Sequence, residues 1–137
     1  MDTIWQVLVA SSDLERRQRI AEIVEKQGLD TICASTVGQC CEILAHNNIK
    51  LAFCDQDFAD GDYRDLLAVA SCRSPKEKVP IVLISSVMDP EECRIAKVAG
   101  LFAVIASPCR PTDVEWMAIQ ASRSEHNRVE HLLGSSR

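Results

Sequence analysis

Hydroxyl and carboxyl side chains follow the short apolar runs of this 137-residue chain, where residues that do chemistry stand in many α/β proteins. A carboxylate in such a place can accept a phosphoryl group or bind a cation, and a hydroxyl can hydrogen-bond to the carboxylate or to an anion. Parallel strands end at one edge of their sheet, so we expect these side chains to lie near one another. The candidate residues are, in chain order, Ser11-Ser12-Asp13, Asp55, Ser85-Ser86 and Ser107-Pro108.

The elements that would position these residues alternate between strands and helices. Pro80–Ile84 is apolar without alternation, which is typical of a strand covered on both faces. The predicted strands are Trp5–Ala10, Thr31–Ala34, Leu51–Cys54, Pro80–Ile84 and Phe102–Ile105. The predicted helix starts are Ser12 (a capping box with Glu15), Ser35 or Thr36, Arg64, Asp89 (with Pro90 in the first turn) and Thr112. Gly28 and Gly100 stand where glycines that end helices belong.

This alternation predicts an α/β fold of the (βα)5 type. Short apolar strands separated by helices form one parallel five-stranded sheet with helices on both faces, a three-layer sandwich. We assign residues 1–124 to this domain. Residues 125–137 are either an extension of the last helix, since Val129, Leu132 and Leu133 return at helical spacing, or a polar tail or linker.

Composition excludes several classes of protein. Apolar residues make up 47% and charged residues 26% of the chain, and the net charge is −5, which is the balance of a globular domain and not a nucleic-acid footprint. No apolar stretch is long enough to span a bilayer, and no signal-peptide pattern opens the chain. We therefore expect a cytoplasmic protein without a nucleic-acid or membrane partner.

The seven cysteines are an odd number and form no CxxC or paired Cys/His cluster. We interpret most of them as small buried apolar residues in a reducing compartment.

Five pieces of the sequence, in register, resemble a response-regulator receiver domain of the chemotaxis-regulator type over about residues 4–123. The matching pieces are Val7-Leu8-Val9-Ala10, Leu51-Ala52-Phe53-Cys54-Asp55, Pro80-Ile81-Val82-Leu83-Ile84-Ser85-Ser86, Gly100-Leu101 and Val104-Ile105-Ala106-Ser107-Pro108. The resemblance implies the flavodoxin-like strand order 2-1-3-4-5. It also implies that Asp55 is the phosphoacceptor, that the backbone carbonyl of Asp57 helps to bind Mg²⁺, and that Ser85 is the hydroxyl that swings to the phosphoryl oxygen.

The chain departs from the receiver pattern at the residues that carry charge. Ser11 and Ser12 replace the acidic pair after the first strand, Ser107 replaces the lysine before the proline, and Val104 replaces the switch aromatic. Phosphoryl transfer depends on positioning and charge neutralisation, and Mg²⁺ prefers carboxylate oxygens, so these changes weaken both. We therefore hypothesise an atypical receiver, or pseudo-receiver, without a resident cofactor, in which Asp55 and Asp57 could hold Mg²⁺ only weakly. The serines around Asp55 would form a neutral hydrogen-bonded lid.

Other chemistries find less support in the sequence. The acidic segment from Asp55 to Asp65 lacks the glycine and the final glutamate of a calcium loop, and Asp60-Gly61 is better interpreted as a turn. No G-x-S-x-G elbow or nucleotide-binding glycine loop is present, and the three histidines do not follow strands. We expect no enzymatic activity.

The resemblance also implies partners. We expect a signalling protein or a histidine kinase, with a contact face formed by the fourth helix, fifth strand and fifth helix, where a homodimer could also form. Trp116 either contributes to this face or is half-covered by packing, with Met117 facing the core. The alternative is a phosphoacceptor receiver that a histidine kinase phosphorylates at Asp55 with unusual metal ligands.

Overall fold

The computed structural model describes residues 6–71, 79–86, 88–107 and 110–121. The predicted start of the first strand at Trp5 and the predicted tail at 125–137 lie outside these residues. The strands are β1 (Gln6–Ala10), β2 (Asp30–Ala34), β3 (Ile49–Asp55), β4 (Asp57–Phe58), β5 (Gly61–Asp62), β6 (Ile81–Ile84) and β7 (Ala103–Ile105). The helices are α1 (Leu14–Glu25), α2 (Val37–His46), α3 (Tyr63–Ser71) and α4 (Pro90–Val98), and the described part of α5 covers residues 111–121.

Five parallel strands form one sheet in the order β2-β1-β3-β6-β7. Counted along this sheet alone, the order is 2-1-3-4-5, so the prediction of an α/β fold with five βα units is confirmed. The pair β4 and β5 forms a separate antiparallel hairpin directly after β3, which the sequence analysis did not predict.

The sheet separates two apolar cores because successive side chains of a strand point to opposite faces. Leu51 and Phe53 of β3 pack with α1 and α5, whereas Ala52 and Cys54 pack on the other face, against α2, α3 and α4. Both faces of the sheet are therefore covered, which explains the apolar strands without alternation.

The helix ends agree with the sequence signals except at α1. Thr36 caps α2 and Asp89 caps α4, each by accepting a backbone N–H of the first turn. The cap of α1 is Asp13 and not Ser12, because the Asp13 carboxylate accepts the N–H of Arg16. Gly28 and Gly100 follow helices with φ values of 84° and 120°, a backbone region that favours glycine.

Candidate functional site

Strand alternation directs Asp55 toward α1. Leu51, Phe53 and Asp55 share one face of β3, and the side chains of Val9 and Ser11, at the end of β1, follow the same alternation. Because β1 and β3 are neighbours, Ser11 and Asp55 meet where both strands end. Their side chains lie beneath the first turn of α1.

The Asp55 carboxylate has a hydrogen-bond donor on each oxygen. The Ser11 hydroxyl donates to Oδ2 at 2.7 Å, and the Arg16 guanidinium donates through Nη1 to Oδ1 at 2.8 Å. Asp55 is 6% exposed, and the Arg16 side chain is 31% exposed. A buried carboxylate needs such compensation, and Arg16 supplies it as a charge-assisted ion pair.

The first turn of α1 fixes the position of Arg16. Asp13 caps this turn, and the Ser11 hydroxyl in turn accepts the N–H of Asp13 at 3.0 Å. The guanidinium of Arg17 donates to the Ser11 carbonyl at 2.6 Å, which attaches the turn to the end of β1 a second time. The helix start is therefore held on the strand that precedes it.

A second polar contact forms at the end of β6. The Ser85 hydroxyl donates to Oε1 of Gln56 at 2.5 Å, and Ser85 is buried. The Ser85 backbone N–H donates to the Ile105 carbonyl, which fixes this turn to β7. The hydroxyl that matches the receiver switch position therefore contacts Gln56, the residue after Asp55.

These contacts lie beside an open cleft of about 370 Å³. Three of the residues that line it are acidic (Asp13, Asp55 and Asp57), and Arg16 is basic. The complete lining consists of Ser12, Asp13, Arg16, Asp55, Gln56, Asp57, Ser85, Ser86 and Ser107. The predicted site residues Ser12, Asp55, Asp57, Ser85 and Ser107 thus come together at one sheet edge.

One prediction about the site needs correction. The lid around Asp55 is not neutral, because Arg16 places a positive charge on the carboxylate. Val104 is half-buried and packs against the core below α2, α3 and α4, so it fills space at the switch position.

Sequence reasoning missed Arg16 and Gln56. Each has a position in the sequence that could have identified it. Gln56 follows the candidate Asp55 directly, and Arg16 lies in the first turn of α1, where the helix dipole disfavours a cation. A positive charge at the N-terminal end of a helix is therefore expected to pair with a nearby carboxylate.

Asp60 has a structural role that the acidic segment did not suggest. Its carboxylate accepts the backbone N–H groups of Val37 and Gly38, at the start of α2, at 2.8 and 3.0 Å. These hydrogen bonds hold the pKa of Asp60 below its usual value. The Asp62 carboxylate pairs with Arg64 at 2.7 Å, and this pairing lowers the pKa of Asp62.

The cysteines that the structure describes are free thiols in different surroundings. Cys40 and Cys54 are buried, as predicted, and burial raises the pKa of Cys40 to about 12 and also raises that of Cys54. Cys33 is exposed, and Cys41 and Cys93 are partly buried. Cys72 and Cys109 lie outside the described residues.

The residues at Asp55 do not fit a divalent metal ion, although the receiver resemblance implies Mg²⁺. Mg²⁺ requires about six oxygen ligands and usually binds through one or two carboxylates. The Asp13 carboxylate caps α1, and a guanidinium already occupies one oxygen of Asp55. Within the described ranges, no group of three or more His, Cys, Asp and Glu side chains is placed to hold a metal.

No family model and no curated protein matches the sequence, but solved structures match the fold. A receiver domain protein (CheY-like) from Methanospirillum hungatei superposes with a TM-score of 0.80 at 20% identity, over 91% of this chain and 99% of that one. The chain has the receiver-domain fold. The chemotaxis response regulator CheY4 of Vibrio cholerae gives a TM-score of 0.78 at 14% identity, over 87% and 99% of the two chains.

A third receiver structure is equally similar. The signal receiver domain of an HD domain-containing protein from Pseudomonas fluorescens has a TM-score of 0.78 at 19% identity, covering 95% of each chain. At these low sequence identities, the superpositions establish the fold alone. The chemistry of the cleft has to be inferred from the residues that line it. Among the described residues of the receiver-like chain, no helix is long and apolar enough to cross a membrane.

Proposed function

We propose that this receiver-fold domain is a cytoplasmic, non-enzymatic signalling module that acts through protein–protein contacts, without phosphorylation of an aspartate. The observation that carries the proposal is the pairing of both Asp55 oxygens, one with Arg16 and one with Ser11. The carboxylate that matches the phosphoacceptor is thereby engaged in a fixed ion pair.

The chemistry of phosphoryl transfer supports the proposal that Asp55 is not phosphorylated. An attacking carboxylate needs a free oxygen in line with the phosphorus, and cations must neutralise the equatorial oxygens of the transferred group. Arg16 instead neutralises the nucleophile itself, and the position that matches the conventional lysine is Ser107. The hydroxyl of Ser85, which would follow the phosphoryl group, donates to Gln56.

Exposed apolar side chains support a contact face on α4 and α5. The large apolar residues that the structure describes as exposed are Leu14, Ile95, Val98, Trp116 and Ile119, and four of these five lie on α4 and α5. Ile95 and Val98 are three residues apart, so they share a helix face, as do Trp116 and Ile119. We propose that these residues contact a signalling partner or a second copy of the chain.

The packing of α5 gives Trp116 and its neighbour Met117 different roles. Met117 packs against the core, and Trp116 is 51% exposed, so it is half-covered and still available to a partner.

Intact-mass spectrometry after incubation with acetyl phosphate tests the proposed function. The full chain is incubated with and without Mg²⁺, and Asp55→Asn is the matched control. We expect no phosphoryl adduct on either protein, because Asp55 is held by Arg16 and Ser107 stands at the position of the conventional lysine.

One phosphoryl adduct on the wild type, with or without Mg²⁺, that disappears in Asp55→Asn would refute the proposal. It would favour the second candidate function, a receiver that a histidine kinase phosphorylates at Asp55. The specific observation in favour of that candidate is the open cleft, which leaves Asp55 at the floor of a space lined with hydroxyls.

A further inference from the structure

We infer that the Arg16 guanidinium takes the place of a divalent cation at Asp55. This inference rests on the proposed function, in which the cleft matches the phosphorylation pocket of a receiver domain. The guanidinium holds the pocket in one state whether or not Mg²⁺ is present. Arg16 is then a positioning residue of the signalling module and not a surface charge.

The first support is the place of the charge. Asp55 is 6% exposed, and its Oδ1 lies 2.8 Å from the Arg16 Nη1 atom. Because Oδ2 accepts the Ser11 hydroxyl, the guanidinium is the charged partner that the structure shows for this carboxylate. A metal ion at Oδ1 would have to displace it or lie beside it.

The second support is how Arg16 is held. Asp13 caps the turn that carries Arg16, and Arg17 attaches that turn to the Ser11 carbonyl at the end of β1. A guanidinium is charged at every physiological pH, and its covalent attachment keeps it at the site without a dissociation step. A bound ion would instead come and go with its concentration.

The third support is the position of Arg16 along the path from solvent. Arg16 lines the open cleft and is 31% exposed, whereas Asp55 is buried below it. The other charged residues that line the cleft are acidic. These acidic residues attract a cation into the cleft, but at Asp55 the cation meets the guanidinium, and like charges repel.

Nuclear magnetic resonance titration of the full chain with MgCl₂ tests this role. The variant Arg16→Gln removes the charge, and Arg19→Gln is the matched control, because Arg19 is an exposed residue of the same helix and its loss changes the net charge equally. The readout is the backbone amide shift of the residues around Asp55 as a function of Mg²⁺ concentration.

We expect no saturable shift near Asp55 in the wild type or in Arg19→Gln up to about 10 mM Mg²⁺, a weak-binding limit. We expect Arg16→Gln to bind Mg²⁺ at least about tenfold more tightly. This is the order of change when a unit charge about 6 Å from a divalent ion is removed in surroundings whose dielectric constant is close to that of water.

Equal Mg²⁺ affinity in the wild type and Arg16→Gln, including no saturable binding by either protein, would overturn the inference. If Arg16→Gln fails to fold, the wild type decides alone. Saturable binding at Asp55 at or below about 10 mM Mg²⁺ overturns the role of Arg16, and the absence of such binding supports it.

The two proposals fail separately. Metal-free phosphorylation of Asp55 would refute the proposed function and leave Arg16 as the cation of the site. Mg²⁺ binding at Asp55 without any phosphoryl adduct would show that Arg16 does not replace the cation, and it would agree with the proposed function.

Discussion

The pairing of Arg16 with Asp55 predicts a measurable coupling energy in solution. A double-mutant cycle of Arg16→Ala, Asp55→Ala and the double variant isolates the free energy that depends on both side chains. The Ser11 hydrogen bond to Asp55 is lost in both Asp55 variants, so to a first approximation it cancels from the coupling.

The magnitude follows from the exposure of the two side chains. A hydrogen bond between charged groups contributes about 1.5–3 kcal/mol. The Asp55 side chain is 8% exposed, which favours the upper part of that range, but the Arg16 side chain is 31% exposed and partly screened by solvent. We therefore expect a coupling energy of about 1.5 kcal/mol, or about 5 °C in melting temperature for a domain of this size.

Urea unfolding followed by circular dichroism at neutral pH measures this cycle. A coupling below about 0.5 kcal/mol would refute the reasoning, because values that small are typical of ion pairs on an open surface. The pair of Arg64 and Asp62 is the matched control: its two side chains are joined at a similar distance, 2.7 Å, but the Arg64 side chain is 75% exposed. We expect its coupling to be the smaller of the two and to fall further in high salt.

Three further predictions concern other parts of the fold. Asp60→Ala should lower the urea midpoint at neutral pH, because it removes the carboxylate that accepts two backbone N–H groups at the start of α2. Since the folded pKa of Asp60 is lowered from 3.8, the difference from wild type should disappear as the pH falls below about 4. Iodoacetamide followed by peptide mass mapping should label Cys33 of the native protein long before Cys40, and equal labelling would contradict the burial and raised pKa of Cys40. If two copies associate through α4 and α5, Val98→Asp should lower the dimer fraction in analytical ultracentrifugation. The melting temperature should not change, because Val98 is 80% exposed. A wild type that stays monomeric at millimolar concentration would exclude the homodimer.

Local patterns in the sequence predict most of the fold because each signal acts within one element. The apolar run at Ile81–Ile84, the cap at Asp89 and the glycine at Gly100 are all found at the predicted places. The start of α1 differs by one residue because Ser12 and Asp13 can both cap a helix, and only the backbone geometry distinguishes them.

The site was harder to predict because its contacts join distant parts of the chain. Arg16 and Asp55 are 39 positions apart, and Asp60 accepts a backbone N–H from a helix that begins 23 positions earlier. Sequence position identifies Asp55 at a strand end, but the reach and rotamer of an arginine on the neighbouring helix depend on the packing of α1 against the sheet. The small hairpin after β3 likewise depends on pairing that two-residue strands do not encode.

The alternation of side chains along β3 also determines which changes in chain length the cleft can tolerate. Leu51, Phe53 and Asp55 share one face because they are two residues apart. Deleting one residue within the strand would turn the carboxylate toward α2 and α3, away from Arg16, and would exchange the residues of the two cores. Deleting two would shorten the strand but keep the carboxylate on the side of α1. Among homologous chains, insertions and deletions inside this strand should therefore occur in pairs of residues wherever the ion pair is kept.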